Sequence, residues 1–496
     1  MAKVLFINPV IRKNEKPAHV PYGLAQLVAL AIRQGHKVQV FDANAWRPKD
    51  EEIYQVLRAD NWDVVAIGGL ITTYGFIKKT VAMAAKAAKK SLVVVGGGFI
   101  TPIPYEIMEY LPEVDVGIVG EAYLTLMEIL RFVDKGENNW ESIKGIIYRE
   151  VNGELKLNQE RELLADVDSL PFPAWEIFPM DIYFQNSSLL LSEEAMLAKR
   201  HIGVMASYGC PFKCKYCFHL GLSGDLSIVE SNGRRDVAIT GRRQVRAHSP
   251  GYVVELVKLA KKKFKIDFVS FYDENFVALC RKGDWFDEFS QKWLKAGLQP
   301  NCSKKKLAHD PKTCQGLHWG TTAHPAMVNK DILRKLKNLG CSHLDYGLES
   351  FSDEILLSIG KCSNSRINEK AVTMTMDSGI RPIPNQIIGF PDESFESFKT
   401  NIIAWEKLGI RSNPFFATPY PGSEWYYLYK DLILKQYGGD LELFLLSLGD
   451  ATDITCNISK NFNTVELLGL RELMVKGDLK RIKEYEEIYL KARKGI

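Results

Sequence analysis

The chain has 496 residues, 46% of them hydrophobic and 25% charged, with 64 Lys and Arg against 60 Asp and Glu. At roughly 150 residues per domain this length suggests about three folding units, and a net charge of +4 excludes a nucleic-acid binder that works by bulk charge. No stretch approaches the roughly 20 apolar residues of a membrane span, and the N-terminus lacks the apolar core and cleavage site of a signal peptide. Nine cysteines are too few for a disulfide scaffold, which points to a reducing cytoplasm.

Residues 1–135 alternate between short Val/Ile runs at 3–8, 37–41, 64–68, 92–95 and 116–119 and helical patterns. Continuous apolar runs are what a parallel sheet covered on both faces requires. Leu24, Leu27, Val28 and Ala31 fall on one helical face between the first two runs. The expected fold is α/β, a doubly wound Rossmann-like domain, with a ligand outside the carboxyl ends of its strands. Those ends read Gly68-Gly69-Leu70-Ile71-Thr72-Thr73-Tyr74, Gly96-Gly97-Gly98 and Gly120-Glu121. The glycines are either tight turns or places where a ligand meets the backbone. None forms the dinucleotide pattern G-x-G-x-x-G. Residues 136–195 read as a linker, with a type I′ hairpin turn at Val151-Asn152-Gly153-Glu154 and an extended Pro-rich junction at 170–175.

Cys210-Pro211-Phe212-Lys213-Cys214-Lys215-Tyr216-Cys217 places three cysteines on one short loop after an apolar run at 201–207. A closed structural zinc site wants four ligands, usually in two separated pairs. The other six cysteines form no second pair. Three thiolates suit an iron–sulfur cluster with one iron left open. From 196 to 425, six strand candidates, among them 268–276, 343–350, 386–393 and 415–422, alternate with helices at 251–264, 283–295, 329–338, 365–378 and 393–408. That pattern implies a parallel partial (β/α)6 TIM barrel with its chemistry at the carboxyl edge.

The spacing C-x3-C-x-aromatic-C, with Tyr216 as the aromatic, resembles the signature of radical S-adenosylmethionine (SAM) enzymes. Together with Pro21-Tyr22-Gly23-Leu24, Gly120-Glu121, Glu349-Ser350 and Gly389-x-Pro391, it resembles the subgroup that joins an N-terminal cobalamin (B12)-binding domain to a radical SAM barrel. The resemblance is to class B radical SAM methyltransferases and covers residues 1 to about 425. It implies a [4Fe-4S] cluster on Cys210, Cys214 and Cys217, with SAM chelating the open iron. It also implies Tyr216 beside the adenine, Asp273 or Glu274 on the SAM ammonium, Glu349 and Ser350 on the ribose or methionine portion, and close approach of the adenine at Gly389. In the first domain it implies base-off cobalamin, because the D-x-H-x-x-G motif is missing. Leu70, Thr72, Thr73 and Tyr74 would then face the lower side of the corrin, and Gly96, Gly97 and Gly98 would pass the nucleotide tail.

In such enzymes one SAM methylates reduced cobalt. A second yields a 5′-deoxyadenosyl radical, and the substrate radical then takes the methyl group. The implied activity is C-methylation of a small-molecule, lipid or natural-product substrate, with an external one-electron donor of flavodoxin or ferredoxin type. The alternatives are a non-methylating cyclase, rearrangement or oxidative radical enzyme, and a zinc-stabilised binding protein. Arg234, Arg235, Arg242, Arg243 and Arg246 read either as a solvated basic loop, which would include Ser223, or as an anion site. Lys304 to Lys306 read as exposed charge. Residues 426–496 carry helical spacing, notably Leu467, Leu470 and Leu473, and are expected to form a C-terminal helical cap over the barrel mouth.

Overall fold

The computed structural model describes residues 1–186, 198–221, 226–231, 233–240, 244–301 and 316–494. Ser223, Arg242, Arg243, Cys302, Lys304 to Lys306 and Cys314 lie outside the described residues. The first sheet has the order β2-β1-β3-β4-β5-β6-β7. Its strands are β1 (Lys3–Asn8), β2 (Lys37–Asp42), β3 (Val64–Gly68), β4 (Leu92–Gly96), β5 (Val116–Ile118), β6 (Ile146–Arg149) and β7 (Leu155–Leu157). Strands β1 to β5 pair in parallel, while β6 and β7 add an antiparallel edge. The hairpin assigned to the linker therefore extends the first sheet.

Its turn is not type I′. That geometry needs two left-handed residues, and here Gly153 (φ 87°) is left-handed while Asn152 is not. Gly153 N–H donates to Glu150 O at 2.8 Å, and Glu150 N–H to Glu154 O at 2.8 Å. This is a type I turn closed by a glycine bulge, which preserves the Arg149–Leu155 pairing.

The second sheet is all parallel, curled into a partial barrel, with the order β17-β16-β15-β14-β13-β8. It contains β8 (His201–Val204), β13 (Phe268–Phe271), β14 (His318–Ala323), β15 (Cys341–Glu349), β16 (Arg381–Ile388) and β17 (Phe415–Phe416). Between β8 and β13, the short β9 (Ser207–Tyr208) pairs with β12 (Arg246–Ala247), and β10 (Leu226–Ser231) pairs with β11 (Arg234–Ile239). The expected helices form at Pro250–Phe264, Trp285–Lys295, Lys330–Asn338, Ser365–Asp377 and Phe395–Leu408. Helix Pro250–Phe264 starts where the Ser249 hydroxyl accepts Tyr252 N–H at 3.1 Å, and Pro250 occupies the position where a missing N–H costs nothing.

Two helix faces and the backs of both sheets share one apolar core. Ala25, Val28, Leu126 and Leu130 of the first domain belong to the same cluster as Ile202, Val253 and Trp293 of the barrel. The C-terminal helices bridge the two. Glu442 of helix Leu441–Ser447 accepts from Tyr74 and Lys78 of the first domain, while helix Thr464–Lys476 buries Leu467 and Leu470. No helix among the described residues is long and apolar enough to cross a membrane.

Inside the barrel, glycines make room for rings. A Cβ at Gly203 would lie 1.8 Å from Tyr272 Cε2, and one at Gly320 would lie 1.8 Å from His343 Cε1. The His343 imidazole is stacked on Phe268 with an interplanar angle of 1°, which limits its escape. Gly320→Ala should therefore overpack the lumen by about 1–3 kcal/mol. A fall in the urea midpoint checks this; an unchanged midpoint would show that the ring can step aside.

Candidate functional site

Parallel sheets leave their helix-opening loops at the carboxyl edge, and here the two edges face each other across one cavity of about 530 Å³. One wall comes from the first sheet: Asn8 and Pro9 after β1, Gly68 to Leu70 after β3, Gly96 to Gly98 after β4, and Gly120 and Glu121 after β5. The opposite wall carries Met205, Tyr208, Gly209, Arg246, Tyr272 and Glu274 from the barrel domain, with His219 beyond the cysteine loop.

The glycines of the first wall have two separate uses. A Cβ at Gly97 (φ 104°) would lie 2.6 Å from Gly69 O, and one at Gly69 would lie 2.3 Å from Thr73 Oγ1, so the β3 and β4 loops touch backbone to backbone. A Cβ at Gly23 or Gly120 would meet nothing within 4 Å, so these two keep the cavity wall flat and open. Leu70 and Thr73 line the cavity. Thr72 is half-buried beside it, and Tyr74 turns away, fully buried with its hydroxyl on Glu442. Of the run from Leu70 to Tyr74 expected to face the corrin, two members therefore line the cavity. His19 packs against Tyr272 and His201, and His36 lies 3.6 Å from Asp134. The histidine that reaches the cavity among the described residues is His219, on the barrel side.

The cysteine loop leaves β9 through Gly209 (φ 95°), where a Cβ would lie 2.2 Å from Gln244 O. Cys214 is buried, Cys210 and Cys217 are half-buried, and Cys217 N–H donates to Cys214 O at 3.0 Å. Phe212 stacks on His324 with ring centroids 3.7 Å apart. Burial pushes the Cys214 thiol up, while the Lys361 ammonium pulls it down. The loop collects three thiols, but among the described residues no three His, Cys, Asp or Glu side chains stand as a formed metal-binding group.

The two acidic neighbours after β13 separate cleanly. Asp273 is fully buried; its carboxylate accepts from Ala206 N–H at 3.0 Å and from the Ser207 hydroxyl, tying β13 to the β8–β9 connection. Glu274 lines the cavity with its Oε1 3.6 Å from His219 Nδ1. Both lie in the loop after β13, where Asp273 is taken up by Ala206 N–H and the Ser207 hydroxyl and Glu274 is left to the cavity.

Glu349 ends β15 at φ 60°, a left-handed conformation that costs a non-glycine residue about 1–2 kcal/mol. The twist delivers its carboxylate to Tyr216 OH (2.6 Å) and Lys361 Nζ (3.0 Å), and Lys361 also donates to Tyr216 OH at 3.2 Å. Glu349 and Lys361 are buried and Tyr216 is half-buried, and desolvation followed by the Glu349 carboxylate drives the Tyr216 phenol well up. Ser350 is fully buried on Asn401 (3.3 Å) and does not reach the cavity. At Gly389 (φ 79°) the space a Cβ would take meets Leu467 Cδ1 at 3.3 Å, so a C-terminal helix, not an open ligand face, covers this glycine.

Of the basic run, Arg246 forms an ion pair with Glu121 at 2.8 Å and donates to Leu164 O at 2.8 Å, and Glu121 accepts Leu164 N–H at 2.7 Å. Arg234 lies 3.4 Å over the Tyr105 ring, and Arg235 donates to Leu157 O at 3.4 Å. These three arginines reach from the barrel's insertion to the first domain and its linker, Arg235 and Arg246 half-buried and Arg234 still exposed. Sequence reasoning also missed Lys361, a single Lys behind the apolar run 355–359, and Tyr272, Met205 and Tyr208, whose apolar neighbours read simply as strand core.

Burial pushes Asp273 from an ordinary 3.8 up to about 7, with the hydrogen bonds from Ser207 and Ala206 opposing. The folded state then holds a proton that the unfolded chain has already released. Its contribution to stability is thus present below about pH 4 and lost as pH rises toward 7. The stability of the native protein minus that of Asp273→Asn should fall across this window in paired denaturation curves; a flat difference would contradict the burial argument.

Residues 10–130 match the B12 binding domain family, and residues 204–402 match the Radical SAM superfamily. An uncharacterized methyltransferase of Pyrococcus horikoshii is 28% identical over 433 residues, 86% of this chain and 83% of that protein. An anaerobic magnesium-protoporphyrin IX monomethyl ester cyclase of Rubrivivax gelatinosus is 21% identical over 459 residues, 89% of this chain and 71% of the relative. In fold, the radical SAM methyltransferase TsrM from Kitasatospora setae, solved with cobalamin and a [4Fe-4S] cluster, aligns at a TM-score of 0.64 and 16% identity over 87% of this chain and 75% of that one. The cobalamin-dependent SAM radical enzyme OxsB, solved with aqua-cobalamin and SAM, aligns at 0.62 and 17% identity over 88% of this chain and 56% of that one. The chain therefore joins a B12-binding domain to a radical SAM domain and belongs to the cobalamin-binding branch of the radical SAM enzymes, with a [4Fe-4S] cluster, SAM and cobalamin as its cofactors.

Proposed function

We propose that the protein is a C-methyltransferase that moves a methyl group from SAM to an unactivated carbon of a small-molecule, lipid or natural-product substrate. The observation that carries this reading is the single cavity walled by both carboxyl edges, because a methyl donor and a hydrogen-abstracting centre must reach the same carbon. The residues fit the groups. Gly23 and Gly120 leave an open, flat wall on the B12-binding side, and three thiols share the loop at the barrel edge. When bound, the cluster and SAM supply a carbon radical, and cobalamin supplies the methyl group.

The chain's own residues do the rest. Cys210, Cys214 and Cys217 would ligate the cluster. Glu274, the carboxylate on the cavity wall, would take the SAM ammonium by charge-assisted hydrogen bonds. Tyr216, held by Glu349 and Lys361, fixes the cysteine loop against β15 and would border the adenine. Leu24, Leu27 and Met205 present apolar surface to the cavity and exclude water from the reacting carbon. A flavodoxin- or ferredoxin-type protein would deliver electrons.

The cyclase relative supports a second reading, in which the same cavity runs a radical cyclisation without methyl transfer. The test incubates the reconstituted protein anaerobically with methyl-labelled SAM, a reductant and a small-molecule cell extract. Methyl transfer predicts a labelled product together with 5′-deoxyadenosine, both lost in Cys214→Ala along with the cluster's visible absorbance. 5′-Deoxyadenosine without any labelled product would favour cyclisation, and 5′-deoxyadenosine from Cys214→Ala would overturn the cluster assignment.

A further inference from the structure

Arg246 reaches the cavity from the barrel side, although it leaves the chain beside the cysteine loop: β12 pairs Arg246 with Tyr208, two residues before Cys210. Its side chain is 9% exposed. Two of its three nitrogens are committed, Nη2 to Glu121 Oε1 and Nη1 to Leu164 O, both at 2.8 Å. The third, Nε, is buried and has no acceptor among the described residues. A buried N–H donor without an acceptor forfeits its hydration and gains nothing in return, so a ligand oxygen at this place is favoured for supplying one. The kind of oxygen follows from the charge. Glu121 already neutralises the guanidinium, so a second anion here would bring an uncompensated negative charge into a buried site. A single N–H of a neutralised arginine suits a neutral carbonyl. Cobalamin carries a rim of primary amides around its corrin, and the flat wall at Gly23 and Gly120 stands across the same cavity.

We propose that Arg246 completes the B12 site from the radical SAM side, its Nε–H donating to an amide oxygen on the corrin rim. The corrinoid is then held by both domains, and one arginine joins it to the strand that launches the cysteine loop.

The test is a titration of the full chain with hydroxocobalamin and, separately, with cobinamide, which keeps the rim amides but lacks the nucleotide tail, followed by visible absorbance. Arg246→Lys keeps a cation for Glu121 and removes the Nε donor together with the Nη1 contact to Leu164 O. Both corrinoids should bind about 10-fold more weakly to it, the value of one hydrogen bond, with iron content unchanged. If Arg246→Lys does not fold, the double variant E121Q/R246Q, which buries no charge, carries the same expectation. Unchanged affinity would show that Arg246 serves only Glu121, and a loss confined to hydroxocobalamin would move the contact to the nucleotide tail; either result overturns the proposal. The inference rests on the cobalamin assignment, and a native chain that takes up no corrinoid would overturn both, whereas the Arg246→Lys comparison bears on the rim contact alone.

Discussion

The edge-to-edge docking of two parallel sheets is the constraint on which the rest of this molecule depends. Each sheet by itself would offer a shallow ligand site at its carboxyl edge. Set face to face, the edges of β1, β3, β4 and β5 and those of β8 and β13 enclose one cavity instead of two. The Glu121–Arg246 pair holds that arrangement at the cavity wall, with Arg234 on Tyr105 and the Glu442 contacts to Tyr74 and Lys78 closing the outer sides. A buried pair of this kind gains little net stability, because desolvation offsets most of the attraction, but losing one partner strands a charge. Its value is that it sets one docking geometry.

Within the barrel, the same low-dielectric setting separates the roles of neighbouring carboxylates. Asp273 is enclosed and pushed toward its protonated form, and it ties strands together. Glu274, one residue on, keeps contact with the cavity. Glu349 is buried too, but Lys361 beside it supplies the countercharge, and burial with a paired cation leaves Tyr216 fixed between them. The left-handed backbone at Glu349 is a local cost that the three-way contact offsets.

Much of this was legible in the sequence where periodicity or punctuation carries the signal. The five Val/Ile runs became β1 to β5, the helices of the barrel formed where apolar spacing placed them, and the three-cysteine loop follows its strand. What was not legible is what depends on contacts between distant segments. The run 151–154 reads as a type I′ turn, yet the five residues between the paired Arg149 and Leu155 need a bulge. The arginines at 234, 235 and 246 look like surface charge until Tyr105, Leu157 and Glu121 come within reach. Gly389 reads as a ligand-facing glycine, but Leu467, 78 residues later, fills the space. Asp273 and Glu274 are indistinguishable by type, and only the position of Ser207 decides which one faces inward.

The proposed function requires the cluster and the corrin to open into one space, which Gly209, next to Cys210, and Glu274 line from the barrel side. Electron paramagnetic resonance of the cobalt spin in corrinoid-loaded protein tests it directly. With a reduced cluster on the cysteine loop, the cobalt signal should relax faster than in Cys214→Ala protein carrying the corrinoid alone, because two paramagnets across one cavity couple. Identical relaxation in the two proteins would place the centres apart and contradict the shared cavity.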